Sequence, residues 1–351
     1  MSSTSFRSQF ENLSNEILYE IFDYLNHYHV YQAFNPLNSR FNNLLYHSNT
    51  PLHVNMSFLS KSKFQRYLTQ MVLPNSDRIR SLHFANRPMF DEMFSCSENR
   101  SKFNELRTII LDNLLTFEHL DSFASFCNLS SLIIHRCDFI ETTYELCHDI
   151  FSLPNLKYCK ISMTGFIKFQ SLINSFNSQR SRLEHLSITS KCDLRQLPYL
   201  LSCLPQLRRL SIDYLSDYQS WKPSIVLPAS NQLTHISLKL KAVRFNRLEQ
   251  FLAQFPVSLE VFRISVDDDL EYFNANRWER LITNFMPNLR LFDIENIYVA
   301  RGTVDPLMDE NSIKQFTTPF WLDRKWFIGY QQTKMDRYLI RRIFYSGQPY
   351  R

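Results

Sequence analysis

The chain has 351 residues, a formal net charge of +5, and 44% hydrophobic and 21% charged residues, ordinary values for a globular protein able to bury an extensive core. Its four glycines (Gly165, Gly302, Gly329 and Gly347) are isolated from one another, which argues against the glycine-rich phosphate cradles of Rossmann, P-loop and kinase-type sites. There is no basic-then-apolar leader, no stretch near the roughly 18 apolar residues of a membrane span, no Cys-x-x-Cys pair among seven cysteines, and no Cys/His set at zinc spacing; reduced thiols, a cytoplasmic or nuclear location, no membrane and no cofactor or metal are expected.

In chain order, residues 10–45 read FENLSNEILYEIFDYLNHYHVYQAFNPLNSRFNNLL. Leu13, Ile17, Leu18, Ile21, Phe22 and Leu25 fall along a helical stripe, Ser14 suits the N-cap, and Glu16 sits in the first turn, where its charge favours the helix dipole. A second apolar set runs through Val30, Ala33, Phe34, Leu37, Phe41, Leu44 and Leu45. About 50 residues bury too little area to stand alone, so these helices need a neighbour or a partner. His27 and His29, flanking Tyr28, read as a solvated loop.

This segment resembles the F-box, whose pattern starts Leu-Pro-x-Glu-Ile/Leu-Leu and continues Glu-Ile-Phe-x-Tyr-Leu. Leu13, Glu16, Ile17, Leu18, Glu20, Ile21, Phe22, Tyr24 and Leu25 fill those places, with Ser14 standing for the proline and Phe41 for a later tryptophan. The resemblance implies that Leu13, Ile17, Leu18, Ile21, Phe22, Leu25, Phe34, Leu37 and Phe41 contact a Skp-family adaptor, and through it a cullin.

Residues 51–77 carry Phe64, Tyr67, Leu68 and Met71 at helical spacing, then Pro74-Asn75-Ser76, and read as a helical connector. Beyond it a Leu-x-x-Leu-x-Leu hexad, other apolar residues being allowed, recurs with first positions 79, 106, 129, 156, 183, 207, 233, 259 and 289. The fourth and sixth positions alternate with polar ones, as in half-buried strands. Segments between hexads show helical spacing (Phe117, Leu120, Phe123, Ala124; Phe169, Leu172, Ile173, Phe176; Leu248, Phe251, Leu252, Phe255), and Pro154, Pro205 and Pro287 mark the turn before a strand.

Nine such units resemble leucine-rich repeats, whose period runs to roughly 20–29 residues, of the long, helix-bearing kind found in F-box and ribonuclease-inhibitor-like proteins. The resemblance implies an α/β fold, a curved parallel sheet with outer helices stacked as a solenoid. Cys137 supplies the Asn/Cys position such units carry. Four segments are expected: an F-box helical domain at 1–50, a helical connector at 51–77, a solenoid at 78–300 and a basic, aromatic cap at 301–351.

In such a solenoid, hexad positions 3, 5 and 7 form the binding face. They give Tyr158, then His185 and Ser187, then Arg209, Ser211 and Asp213, then His235 and Ser237, then Arg263, with Tyr214 nearby. Serines would stack in one column beside a His-Arg-His column, a composition suited to protein contact. His185, Asp213 and the serines superficially suggest a triad, but an open strand face offers neither a buried carboxylate nor an oxyanion hole, so no catalytic residue is expected.

Residues 313–351 interleave Lys314, Arg324, Lys325, Lys334, Arg337, Arg341, Arg342 and Arg351 with aromatics. Such composition can bind nucleic acid, but a terminal cap is the expectation. The function expected is substrate recognition in a Skp–cullin–F-box ubiquitin ligase, with no catalysis by this chain and a protein substrate of unknown identity. The alternatives are a leucine-rich-repeat scaffold or inhibitor, and a nucleic-acid binder acting through the basic segment.

Overall fold

A computed structural model describes residues 10–46, 50–113, 120–137, 143–163, 165–167, 169, 181–217, 232–254, 258–267, 269–301, 313–334 and 339–347. The chain divides into two compact units, Met1–His135 and Arg136–Arg351. Both are α/β, built on open, mostly parallel sheet.

The first unit opens with three short helices, α1 (Asn15–Asp23), α2 (His27–Phe34) and α3 (Ser39–Tyr46). Asn26 caps α2, its side chain accepting from the Tyr28 N–H at 2.9 Å, and Asn38 accepts from the Phe41 N–H at 3.0 Å, satisfying donors that a helix start leaves open. Ser14 occupies the N-cap of α1 without capping a backbone N–H. Glu16 instead takes its own backbone N–H and the Ser14 hydroxyl, which holds its carboxyl below the usual range. His27 and His29 lie in the first turn of α2, not in a loop.

The expected helical connector begins as a strand. β1 (Leu52–Asn55) alternates in burial and lies parallel to β2 (Ile79–Phe84); only four residues long, it leaves too little alternation to stand out in sequence. Helix α4 (Lys61–Tyr67) follows and runs on through a π turn at Leu68–Val72 and a 3-10 turn at Leu73–Arg78. β3 (Thr108–Asp112) and β4 (Ser131–Cys137) complete the order β1-β2-β3-β4, all parallel.

Arg78 ties the helices to this sheet. Its guanidinium donates to Leu45 O (3.1 Å), Tyr46 O (3.3 Å) and Thr50 O (3.2 Å), and to Asn75 Oδ1 (3.0 Å), so it satisfies carbonyls at the open end of α3. His27 Nδ1 lies 2.7 Å from the Tyr67 hydroxyl. Burial, with Arg78 nearby, lowers the His27 pKa from 6.5 to about 4.

Unfolded, His27 protonates near pH 6.5; folded, only near 4. The stability that its neutral form permits is therefore complete above 6.5 and is lost as pH falls from 6.5 to 4. The loss is on the order of 3 kcal/mol at most. Urea unfolding of wild type and His27→Gln at pH 7.5 and pH 4.5 should show the difference between the two proteins shrinking or reversing at the lower pH; parallel pH profiles would refute the assignment.

The second unit contains β5 (Tyr158–Met163), β6 (Phe166–Ile167), β7 (His185–Asp193), β8 (Arg209–Ser216), β9 (His235–Lys241), β10 (Val261–Asp267), β11 (Leu291–Arg301), β12 (Phe327–Lys334) and β13 (Leu339–Gly347). The order is β5-β7-β8-β9-β10-β11-β13-β12, with β6 alongside β7. Strands β5 to β11 are parallel, while β11/β13 and β12/β13 are antiparallel.

One geometry recurs from strand to strand. The carbonyl of hexad position 2 accepts the next segment's position-2 and position-3 N–H groups at 2.8–3.0 Å. Lys157 takes Glu184 and His185, Glu184 takes Arg208 and Arg209, Arg208 takes Thr234 and His235, Thr234 takes Glu260 and Val261, and Glu260 takes Arg290 and Leu291. All three apolar positions of all nine hexads are buried, the apolar positions on one side of each strand and the polar ones on the other.

Behind the apolar side pack the connecting segments. Helix Phe245–Leu252 follows the expected spacing, burying Leu248, Phe251 and Leu252, whereas Leu120–Ser125 is a 3-10 helix. Of the expected helix through Phe169 and Phe176, only Phe169 is described, and it is buried; Phe117 and Phe255 also lie outside the described residues. Helices end at Phe151, Cys203 and Phe285, just ahead of Pro154, Pro205 and Pro287, which cannot supply the next helical N–H.

The abundance of phenylalanine has a packing reason. Aromatic side chains fill the layer between strands and helices, as in Phe90–Phe123 (5.0 Å) and Phe94–Phe126 (4.9 Å) in the first unit and Trp278–Phe292 (4.9 Å) in the second. The C-terminal segment continues this core, with Phe316, Trp321 and Trp326 buried and both tryptophan rings 5.8 Å from Phe292. A boundary at residue 300 is not sharp, since β11 runs to Arg301 and pairs with β13 through that residue.

Candidate functional site

Two surfaces, one in each unit, hold the residues singled out in the sequence. The first is formed by α1, α2 and α3. Leu18, Phe41 and Leu44 make a small core, with Leu13, Tyr19, Phe22 and Phe34 packed against it. Leu18 and Phe41 are fully buried, which corrects their assignment to a contact surface: they hold the helices together. Leu13, Ile21, Phe22 and Phe34 are half-buried. Ile17, Leu25 and Leu37 project outward at 44%, 47% and 56% exposure, joined by Phe10 at 39% and Tyr24 at 92%.

Helix α1 is therefore apolar on two sides. Leu18 and Phe22 face the core, Ile17 and the half-buried Ile21 lie one turn apart along the other side, and Tyr24 and Leu25 are exposed just beyond the end of the helix. Arg40 on α3 fixes its start, donating to Leu13 O at 2.6 Å and Asn15 Oδ1 at 2.8 Å and also contacting Glu11 O. The exposed apolar set is thus held on a braced scaffold.

The second surface is the polar side of the β5–β11 sheet. Register places Tyr158, His185, Arg209 and His235 in one row across adjacent strands, and Lys160, Ser187, Ser211, Ser237, Arg263 and Asp293 in the next. Both rows agree with the spacing in the sequence. Tyr214 does not join them: a bulge in β7 between Ile188 and Lys191 shifts it opposite Lys191, whose ammonium lies 5.7 Å from its ring.

Charges on this face are unevenly compensated. Lys239 pairs with Asp213 at 3.1 Å, and Arg263 approaches Asp293 at 3.8 Å. Burial, and then the Arg209 guanidinium, lower the pKa of both His185 and His235. His185 packs edge-on to Tyr158, and His235 Nδ1 lies 2.9 Å from Thr234 Oγ1. Neither imidazole hydrogen-bonds a carboxylate among the described residues, and Asp213 is engaged by Lys239, so this geometry does not orient a general base as a triad requires.

Other features are self-contained. A cleft of about 690 Å³ at the ends of β9 and β10 is lined by Arg244, Asp267, Asp269, Glu271 and Arg277, but Arg277 pairs with Glu249 (2.5 Å) and Glu271 (3.0 Å), and Asp267 with Lys241. Cys159 and Cys192 are core residues whose thiols burial pushes up, Cys192 to about 12; Cys137 closes β4, its side chain lying outside the described residues. Among the described residues there is no His/Cys/Asp/Glu group able to hold a metal, and no helix long and apolar enough to cross a membrane. In the C-terminal segment, Phe316, Trp321 and Trp326 are buried and so are withdrawn from base stacking of the kind single-strand binders use.

No protein-family model matches this sequence, and no curated protein matches it.

Proposed function

We propose that the chain is a substrate-recognition subunit of a Skp–cullin–F-box ubiquitin ligase, acting in the cytoplasm or nucleus and catalysing nothing itself. Residues 10–45 would serve as the F-box, docking a Skp-family adaptor and through it a cullin. The recurring hexad strands would form a leucine-rich-repeat solenoid whose polar face captures a protein substrate. The observation that carries this reading is the exposed apolar set on α1 and just past its end, with Ile17 and Leu25 about half exposed while Leu18 and Phe41 separately complete the internal core. A helix apolar on both sides implies something beyond its own core to cover the second side.

The test is direct binding of the purified full chain to a purified Skp adaptor. A sub-micromolar complex is expected, and absence of detectable binding would sink the ligase reading, leaving a scaffold whose N-terminal helices only cover the first strands.

A further inference from the structure

Among the described residues, the polar face of the second unit contains a zone in which positive charge is left uncompensated. Lys239 and Arg263 have carboxylate partners in Asp213 and Asp293. Lys160 and Arg209 have none among the described residues, nor does Arg208 at the start of β8. Glu184, whose charge acts on the neighbouring His185, is held by Lys157 at 3.2 Å. Ser187 and Ser211 continue the row of Lys160 across the next two strands, Ser211 two residues along β8 from Arg209, and their hydroxyls have no partner among the described residues. His185 borders the zone, leaving free cations, hydroxyl donors and an imidazole clustered on neighbouring strands.

We propose that this zone reads an acidic peptide segment, with Lys160 and Arg209 gripping its carboxylates across the hydroxyls of Ser187 and Ser211. The inference deepens the substrate-receptor reading by naming the class of substrate that this face takes. Geometry supports a peptide occupant. Strands lie about 4.8 Å apart and rise about 3.3 Å per residue, so the Cα atoms of Lys160 and Arg209, two strands and two residues apart, are separated by roughly 12 Å. Long side chains leaning inward shorten that span to the roughly 7–10 Å between carboxylates two or three residues apart on an extended chain. The guanidinium can take a carboxylate bidentately and the ammonium a second one as a point charge, while serine hydroxyls donate to the oxygens left over. The neutralised pairs toward β9–β11 leave the attraction concentrated here, and such a field steers an acidic partner and sets its register.

The test uses the full chain without any adaptor and a fluorescein-labelled twelve-residue peptide of three Glu-Ser-Glu-Gly repeats, with binding read by fluorescence anisotropy. Saturable binding that weakens with salt is expected. It should fall at least tenfold for the Lys160→Glu, Arg209→Glu double variant and for the milder Lys160→Gln, Arg209→Gln pair, while Lys239→Gln, Arg263→Gln should change it less than threefold. Melting curves confirm that each variant is folded. No binding of the glutamate peptide, equal loss in both sets of variants, or binding only when the peptide serines are phosphorylated would each overturn the inference. A chain that fails to bind a Skp adaptor yet shows the expected peptide pattern removes the ligase reading alone; one that binds adaptor but not peptide removes this inference alone.

Discussion

Leu186→Asp is expected to destabilise the second unit by about 3–5 kcal/mol, because it forces a carboxylate into a site with no partner for it. Leu186 is 2% exposed and lies in register between Cys159 and Leu210 on the flanking strands. Both neighbours belong to the apolar side: Leu210 offers no hydrogen bond and the Cys159 thiol only a weak S–H donor. For a unit of this size the melting temperature should fall by on the order of 10 °C. The damage should spread, since each strand takes its position from the position-2 carbonyl of its neighbour. Hydrogen exchange should therefore accelerate in β5 and β8 as well as in β7. The control is Ser187→Asp, one residue along on the polar side, which should alter stability by less than about 0.5 kcal/mol. If Leu186→Asp melts with wild type, the hexads are not the stacked units described above.

The strand layer was legible because it rests on one repeated physical requirement. Leu156, Cys159 and Ile161 mean little alone, but the same spacing in nine segments fixes which residues face inward. It also aligns the strands well enough to place His185, Arg209 and His235 in one row. What escaped had no such redundancy. β1 is four residues long. β11 carries Asn296, fully buried, in the middle of its extension to Arg301, a stretch beyond the last hexad that the repeated spacing does not describe. Tyr214 is displaced by a bulge that no local residue pattern announces. In the helices the limit was different. The apolar positions of α1 were all visible, but Ile17 and Leu18 are adjacent letters with opposite fates, and only the packing of Phe41 and Leu44 around Leu18 separates anchor from core. The charged groups of the polar face show the same limit: Arg209 and Arg263 look alike in sequence, and only the approach of Asp293 distinguishes the compensated one.

That distinction between the two sides of α1 sets up the second large effect. Ile17→Ala with Leu25→Ala removes two half-exposed side chains, one on α1 and one just past its end. Exposed apolar truncations cost a folded protein little, so the melting curve should move by no more than a degree or two. If a Skp adaptor buries both side chains, each contributes about 1.5–3 kcal/mol to the complex, and losing both should weaken binding a hundredfold or more. Leu18→Ala with Phe41→Ala makes the opposite change. Both side chains are fully buried, and each truncation should cost about 2–5 kcal/mol of stability, loosening the helices before any partner is met. A terminal cap predicts no partner effect from the outward pair at all. The decisive comparison is calorimetric binding of wild type, Ile17→Ala/Leu25→Ala and Leu37→Ala to a purified adaptor, with thermal melts of each. Loss of binding at unchanged stability in the outward variants would identify this exposed set as the docking surface. Binding that survives in the outward double variant would mean that the adaptor, if it binds, grips another face, and the assignment of Ile17, Leu25 and Leu37 as anchors would fall.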